Sequence, residues 1–278
     1  MHRLQRRSVF ISDVHLGLPD CKAAYLLDFL RQLDCAHLYL VGDIIDLQAL
    51  TRRPWWHPSH GAVLHAILAL ATRGTRITYI PGNHDAPLRA LAGQTIAGIA
   101  IALDAVHVAA DGRRYRVSHG DEHDPEQIGR AWQRFGDFMQ NLLCGVNRRF
   151  NRLRRWLKLP YLPLSLVLKS CAPQALAYIR AFETRVARAT QTAGFDGAIC
   201  GHIHYGHVRR IEGVLYLNDG DWVEHCTALT EDAHGRFELL HWSERPATLG
   251  AAGCGADAPS PARLRALRPL AHAALRAK

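Results

Sequence analysis

The chain has 278 residues, 48% of them hydrophobic, and a formal net charge of +9. That is ample apolar material for a core and unlike a disordered segment, and no run approaches the roughly 18 apolar residues that a membrane span needs. The basic start is followed by an apolar run too short for a secretory signal, and the seven cysteines are scattered without a CxxC pair, which fits free thiols in a cytoplasmic protein.

Residues 8–12 read as a first strand that runs into Asp13-Val14-His15. Residues 20–33 (DCKAAYLLDFLRQL) place apolar side chains at helical spacing, with Asp20 as N-cap. Residues 37–42 are the second strand and open the loop Gly42-Asp43-Ile44-Ile45-Asp46. A helix over 59–73, ended by Gly74, leads to a third strand over 77–81, which runs into Gly82-Asn83-His84-Asp85. Strand–helix–strand alternation of this kind predicts a parallel sheet with covering helices. In such sheets ligands bind beyond the carboxyl ends of the strands, where all these polar clusters fall.

After residue 95 the pattern changes to short strands (IAIAL, AVHVAA, RRYRVSH), with Asp111-Gly112 as a hairpin turn. The last of them runs into His119-Gly120-Asp121. Residues 125–193 read as largely helical and basic. Residues 130–188 hold twelve Lys and Arg against two acids, and residues 245–278 hold six against one. A local basic surface suits an anionic partner such as a phosphate-bearing substrate, an anionic membrane or a nucleic acid. GAICG (197–201) returns to the sheet and opens Gly201-His202-Ile203-His204. VLYLNDGDWVEHCTAL and RFELLHW read as strands that finish a second sheet. The reading gives a domain over 1–246 with an insertion at 125–193, then a mobile Ala/Pro/Arg-rich tail over 247–278.

Five predicted strand ends thus deliver Asp13, His15, Asp43, Asn83, His119, His202 and His204. Mixed nitrogen and oxygen ligation without thiolate suits Mn, Fe, Zn or Co better than Ca or Mg. The set exceeds one four-coordinate site and suits two ions if a carboxylate bridges them, with Asp43, in mid-sheet, as the bridge. Two ions about 3.5–4 Å apart clamp a phosphoryl group and lower the pKa of a shared water. Any single fragment is weak, because DxH and GDxxD also occur in ordinary turns. The ordered set is the signal. Asp85, Asp121, Asp124 and Asp221 read as groups that orient ligands or cap loops, and Asn218-Asp219-Gly220 as a turn near the site.

The series DVH, GDIID, GNHD, SHGD and GHIH resembles the calcineurin-like metallophosphoesterase superfamily over residues 9 to about 242. The resemblance implies an α/β (α+β) fold, a two-sheet β-sandwich flanked by helices, with a dinuclear site. Carried over by position, Asp13, His15, Asp43 and His204 would hold one ion, and Asp43, Asn83, His119 and His202 the other, with Mn the first expectation. His84 would contact the phosphate or the leaving group, and Asp46 would orient His84. The nucleophile implied is a metal-bridging hydroxide.

Within the superfamily the chain looks most like the branch of UDP-2,3-diacylglucosamine pyrophosphatases, which serve lipid A synthesis at the inner membrane face. Those enzymes use a helical insertion as a cap over acyl chains. The composition of residues 125–193 fits, with Arg149, Arg152 and Trp156 as candidate substrate contacts and an anionic membrane as a peripheral surface. The departure is that this chain has His84 and Asp46 where the well-known members carry Arg and Glu. Another small phosphoester, a phosphoprotein or a nucleic acid therefore stays open as substrate, as does an inactive metal-binding scaffold. Nucleic acid is disfavoured, because the basic residues alternate with large aliphatics and prolines. Oligomeric state is not fixed by the sequence.

Overall fold

The computed structural model describes residues 3–124 and 173–242. The first of two compact units comprises residues 1–123 and 182–242. It is built on a seven-stranded and a five-stranded mixed sheet. The strands are β1 (Leu4–Ile11), β2 (Leu33–Val41), β3 (Arg76–Ile80), β4 (Thr95–Ile96), β5 (Ile99–Ile101), β6 (Ala105–Val108), β7 (Arg114–Val117), β8 (Gly197–Cys200), β9 (His207–Ile211), β10 (Val214–Asn218), β11 (Thr227–Glu231) and β12 (Phe237–His241). The helices are α1 (Ala23–Gln32), α2 (Leu47–Arg52), α3 (Pro58–Thr72) and α4 (Pro173–Thr192).

The larger sheet runs β12-β11-β1-β2-β3-β5-β4 and the smaller runs β6-β7-β8-β10-β9. β1, β2, β3 and β5 are parallel, as are β7, β8 and β10. Side chains alternate across each strand, and the alternation sorts the core into layers. Val9, Ile11, Leu38 and Leu40 pack with Leu26 and Phe29 of α1 and Val63 and Ile67 of α3. Phe10, Tyr39 and Val41 face the other way, against Val117, Ile199 and Leu217 of the smaller sheet. The outer face of that sheet, through Ala198, Cys200 and Tyr216, takes Phe182 and Val186 of α4. The order helix, sheet, sheet, helix follows, and the two-sheet sandwich expected from the resemblance is the architecture found.

Three details differ from the sequence reading. Asp20 does not cap α1; the N-cap is Lys22, whose side chain makes no cap, while the Lys22 N–H donates to the Trp222 carbonyl (2.7 Å). β2 begins at Leu33, directly after α1, because its first residues pair with the start of β1 (Leu4 with Leu33, Arg6 with Cys35). Finally, β11 and β12 do not finish the smaller sheet. β11 pairs antiparallel with β1, so VLYLNDGDWVEHCTAL crosses from one sheet to the other. The Asp111-Gly112 hairpin is present between β6 and β7, with Gly112 at φ +85°.

The second unit comprises residues 124–181 and 243–278. The Tyr178 hydroxyl, on the first part of α4, donates to Asp124 Oδ1 (2.6 Å). Arg149, Arg152 and Trp156, most of the 125–193 insertion and the 247–278 tail lie outside the described residues. No described helix is long and apolar enough to cross a membrane.

Candidate metal centre

Each loop that carries a candidate ligand leaves the carboxyl end of a strand. Asp13 and His15 follow β1, Asp43 follows β2, Asn83 and His84 follow β3, His119 follows β7, and His202 and His204 follow β8. Backbone bonds bind the loops to one another. Asp13 N–H donates to Gly42 O (3.1 Å), His15 N–H to Asp43 O (2.9 Å), and Gly201 N–H to His119 O (3.1 Å). Asp85, fully buried, holds the third loop to the second. It accepts Ile44 N–H (2.9 Å), the Tyr79 hydroxyl (2.5 Å) and Gly82 N–H (2.5 Å).

The ligand positions are conformationally unusual. Asp13, His15, Asp43, His202 and His204 have φ between 50° and 70°. A non-glycine residue there costs about 1–2 kcal/mol. Among the described residues only Ala97, Glu212 and Cys226 share that region. Strain concentrated on these five side chains is the mark of a site whose geometry is imposed by the surrounding fold. The neighbouring glycines are required by space. A Cβ on Gly42 would enter the His119 ring, one on Gly82 would meet Asp43 and His119, and one on Gly201 would meet Ser12 and Asp13.

The side chains converge with their ligating atoms inward. His15 Nδ1 meets Asp46 Oδ2 (3.0 Å), which turns Nε2 toward the centre of the group. That Nε2 lies 3.9 Å from Asp13 Oδ1 and 3.9 Å from Asp43 Oδ2. His119 Nδ1–H donates to the Val41 carbonyl (2.8 Å), so its Nε2 also turns inward, 3.5 Å from Asp43 Oδ2 and 3.3 Å from Asn83 Oδ1. His204 Nε2 stands 3.1 Å from Asp13 Oδ1 and 3.4 Å from His15 Nε2. Imidazoles fixed by a carboxylate or carbonyl at one nitrogen, with the other facing carboxylates, have the arrangement of metal ligands. Ligating atoms gathered this closely need protons or a cation among them, and the mixed imidazole and carboxylate donors present fit a divalent ion.

Two ligand triads result, Asp13–His15–His204 and Asp13–Asp43–His119, with a third group, His15–Asp46–His84, beside them. Asn83 reaches the second triad through its contact with His119. His202 joins none of the three groups. Its N–H donates to Asp13 Oδ2 (2.9 Å), and its ring lies edge-on to His119 with centroids 5.2 Å apart. Asp46 does more than the resemblance implies. Oδ1 caps α2 through Ala49 N–H (2.7 Å), while Oδ2 lies 3.0 Å from both His15 Nδ1 and His84 Nδ1. His84 is the partly exposed member, and its Nε2 is 4.0 Å from Asp43 Oδ2.

The electrostatics agree with a site built for positive charge. Burial raises the carboxyl pKa of Asp43, but His119, His15 and His84 outweigh it and hold the group well below its ordinary range. Burial likewise opposes a charge on His119, yet Asp43 and Asp13 lift it well above the usual imidazole value. The same contest, won by Asp46 and Asp43, raises His15. Of the acids read as orienting ligands or capping loops, Asp221 caps a loop, whereas Asp121 forms an ion pair. Asp121 pairs with Arg89 (2.8 Å), and Asp221 accepts Val223 N–H (2.8 Å) and contacts the His225 imidazole. Ser12 and Gln48 escaped the sequence reading. Ser12 contacts Asp13 directly (2.5 Å), and Gln48 Nε2 holds the Asn83 carbonyl (2.8 Å). Ser12, next to the DVH triplet, was in view; Gln48 carries no sequence signal.

Comparison with known proteins gives the same answer from another direction. A curated relative, the UDP-2,3-diacylglucosamine hydrolase of Aeromonas salmonicida (strain A449), is 31% identical over 168 residues, 57% of each chain. The chain thus spans a little over half the length of that relative. Among solved structures, Yfce, a phosphoesterase from E. coli, matches with a TM-score of 0.43 at 14% identity, covering 84% of this chain and 98% of its own. Hypothetical protein PH1004 from Pyrococcus horikoshii OT3 matches with a TM-score of 0.44 at 10% identity, covering 86% and 88%. The model of the family described as calcineurin-like phosphoesterase matches residues 6–206, a span that holds every candidate ligand, and the chain therefore belongs to that family of metal-dependent phosphoester hydrolases.

Proposed function

We propose that this chain hydrolyses a phosphoester or diphosphate bond at a pair of divalent ions, with Mn the first candidate and Fe, Zn or Co as others. Asp13, His15, Asp43 and His204 would hold one ion, and Asp43, Asn83, His119 and His202 the other. The inward convergence of the ligating atoms of Asp13, Asp43, His15 and His119 carries this reading. Bound ions supply charge to the phosphoryl oxygens and acidify a water. The chain's own part is to fix the ligands through Asp46 and the Val41 carbonyl and to manage the leaving group. His84, with Nδ1 beside Asp46, presents Nε2 as the group that protonates the departing oxygen.

The substrate we infer is a lipid-linked sugar nucleotide of the UDP-2,3-diacylglucosamine kind, as in lipid A synthesis. The name of the Aeromonas relative supports this, as does the interleaving of arginine with tryptophan and leucine in residues 125–193. A peripheral contact with anionic membrane at the cytoplasmic face belongs to the same reading. A second reading, hydrolysis of another small phosphoester, is favoured by one observation. The His84–Asp46 pair stands where the well-known lipid A enzymes carry Arg and Glu.

The test is release of UMP from UDP-2,3-diacylglucosamine by Mn-loaded protein, with Asp43→Ala as control. Release by the wild type alone supports the lipid-sugar reading. Cleavage of an aryl phosphodiester without UMP release supports the second. Silence on both substrates in a protein that holds Mn would overturn the enzymatic proposal.

A further inference from the structure

Ser12 presents a proton-counting problem. Its hydroxyl lies 2.5 Å from Asp13 Oδ2, 2.6 Å from Asp219 Oδ1 and 3.2 Å from the Gly220 carbonyl. A serine hydroxyl has one hydrogen to donate. A carbonyl has none, and neither has an ionised carboxylate. Were both aspartates ionised, one of the two short contacts would press lone pair on lone pair. One carboxyl must therefore bring a second proton.

The surroundings decide which. Asp13 has every reason to be charged: His202 N–H donates to its Oδ2 (2.9 Å), and His204 Nε2 lies 3.1 Å from its Oδ1. Asp219 is fully buried, no cation pairs with it among the described residues, and its Oδ2 has no hydrogen-bond partner there. A charge left in such a place is costly, and a carboxyl so placed becomes neutral instead. Burial and the nearby Asp13 charge also push the Asp219 pKa well above its ordinary value.

We infer that Asp219 is a neutral acid that positions Asp13 through Ser12. The Asp219 carboxyl donates to Ser12 Oγ, and the Ser12 hydroxyl then donates to Asp13 Oδ2. The relay ties Oδ2 to Ser12 and to His202 N–H, and it leaves Oδ1 aimed at His15 and His204. It thereby selects the Asp13 oxygen that meets an ion. Asp219 touches no ligand atom itself, so it is a positioning residue. The inference rests on the metal reading above for its consequence, although not for the proton.

Two measurements separate these. In the metal-free full chain, the infrared carbonyl band of a protonated carboxylic acid is expected in the wild type and absent in Asp219→Asn. An unchanged spectrum would overturn the neutral acid whatever the metal result. Calorimetric titration with Mn then tests the positioning. Asparagine replaces the acid as a neutral donor, so Asp219→Asn is expected to bind Mn as the wild type does, while Asp219→Ala and Ser12→Ala weaken binding about 10–100-fold. The double Ala variant is expected to be no weaker than either single one, because both break the same relay. Equal loss in Asp219→Asn and Asp219→Ala would mean a charged Asp219, and wild-type affinity in Asp219→Ala would mean no positioning role. If the wild type itself takes up no Mn, the proposed function and the positioning role both fail, while the band still decides the proton.

Discussion

Two clusters of histidine and carboxylate lie on the same strands and are built on opposite principles. Beyond the ends of β1 and β2, Asp13, His15, Asp43 and His119 turn ligating atoms toward one another. Lower on those strands, Arg7, His37 and Tyr39 belong to a closed network. Arg7 bonds both oxygens of the fully buried Glu231 (2.8 and 3.0 Å), Glu231 accepts His107 Nε2–H (2.9 Å), and His107 Nδ1 meets the Tyr39 hydroxyl (3.2 Å). In the network the buried carboxylate meets donors on both oxygens, and its backbone is ordinary. In the site, carboxylates and imidazole nitrogens converge on common centres from left-handed backbone. Residue type alone does not separate a site from a satisfied core; unsatisfied geometry does.

The contrast predicts different consequences of removing one carboxylate, loss of metal-dependent activity at the site and loss of stability alone in the network. At the site, Asp43→Ala is expected to abolish Mn-dependent hydrolysis of an aryl phosphodiester, a loss beyond the roughly 100-fold typical of groups that only orient a ligand. In EDTA the variant should melt somewhat below the wild type, because Asp43 accepts the His84 N–H (2.8 Å) and its charge is attracted by the imidazoles of His119 and His15. Unimpaired Mn-dependent hydrolysis would break the comparison. Next in size, His84→Ala should lower turnover of substrates with poor leaving groups about 10²–10⁴-fold while Mn stoichiometry, measured by elemental analysis, stays unchanged. Full turnover in that variant would remove His84 from proton transfer. Gly82→Ala adds one methyl against Asp43 and His119. It should weaken Mn binding about 10–100-fold with the sheet intact by circular dichroism.

Much of this was legible in the sequence, for definable reasons. A buried parallel strand is a short apolar run, and a glycine or serine before the polar residues marks where the chain must turn closely. The ends of β1, β2, β3, β7 and β8 were read in that way. β9 was missed because HVRRI is an exposed edge strand without apolar alternation. The sheet assignment of β11 failed because its pairing with β1 is long-range, while β10 is its neighbour in sequence. α2 has six residues and no buried side chain, so only its cap, Asp46, betrays it. The left-handed backbone of the ligands and the Ser12–Asp219 contact are products of tertiary packing, and no local pattern encodes them.

On the network side, Glu231→Gln should cost about 3 kcal/mol, because the amide removes the charge that faces Arg7 and its one oxygen cannot serve both Arg7 and His107, leaving an N–H2 against a donor. The value belongs at the lower end of that range, since Arg7 is partly exposed and screened. Mn binding should be unaffected, and a loss of metal would mean that the two clusters are coupled.

The smallest effect concerns pH. His37 stacks on Tyr39 (3.8 Å between ring centroids) and meets Thr78 Oγ1 (3.0 Å). Burial first, then Arg76, His107 and Arg7, push its pKa down to about 4 from 6.5. Between those values the unfolded chain takes up a proton that the folded chain refuses, so stability falls as pH drops through 6.5 and the loss is complete near 4. His37→Gln removes that proton from the unfolded state as well. A shift of that size corresponds to about 3 kcal/mol at most, which solvent around the half-buried ring cuts to about 1 kcal/mol. The variant should therefore lose less Tm than the wild type between pH 7 and pH 4, by about 2–4 °C for a domain of this size. Glu231 acts in a lower window. Its carboxyl is held below the ordinary value, burial being outweighed by His107 and the Ala110 N–H, so its contribution disappears only as pH falls below the usual range of a free glutamate. Parallel melting curves of the two variants should then separate, His37→Gln departing from wild type above pH 4 and Glu231→Gln converging on it below. A single shared window would mean that the network titrates as one unit, and the division into satisfied and unsatisfied clusters would have to be drawn around the network as a whole.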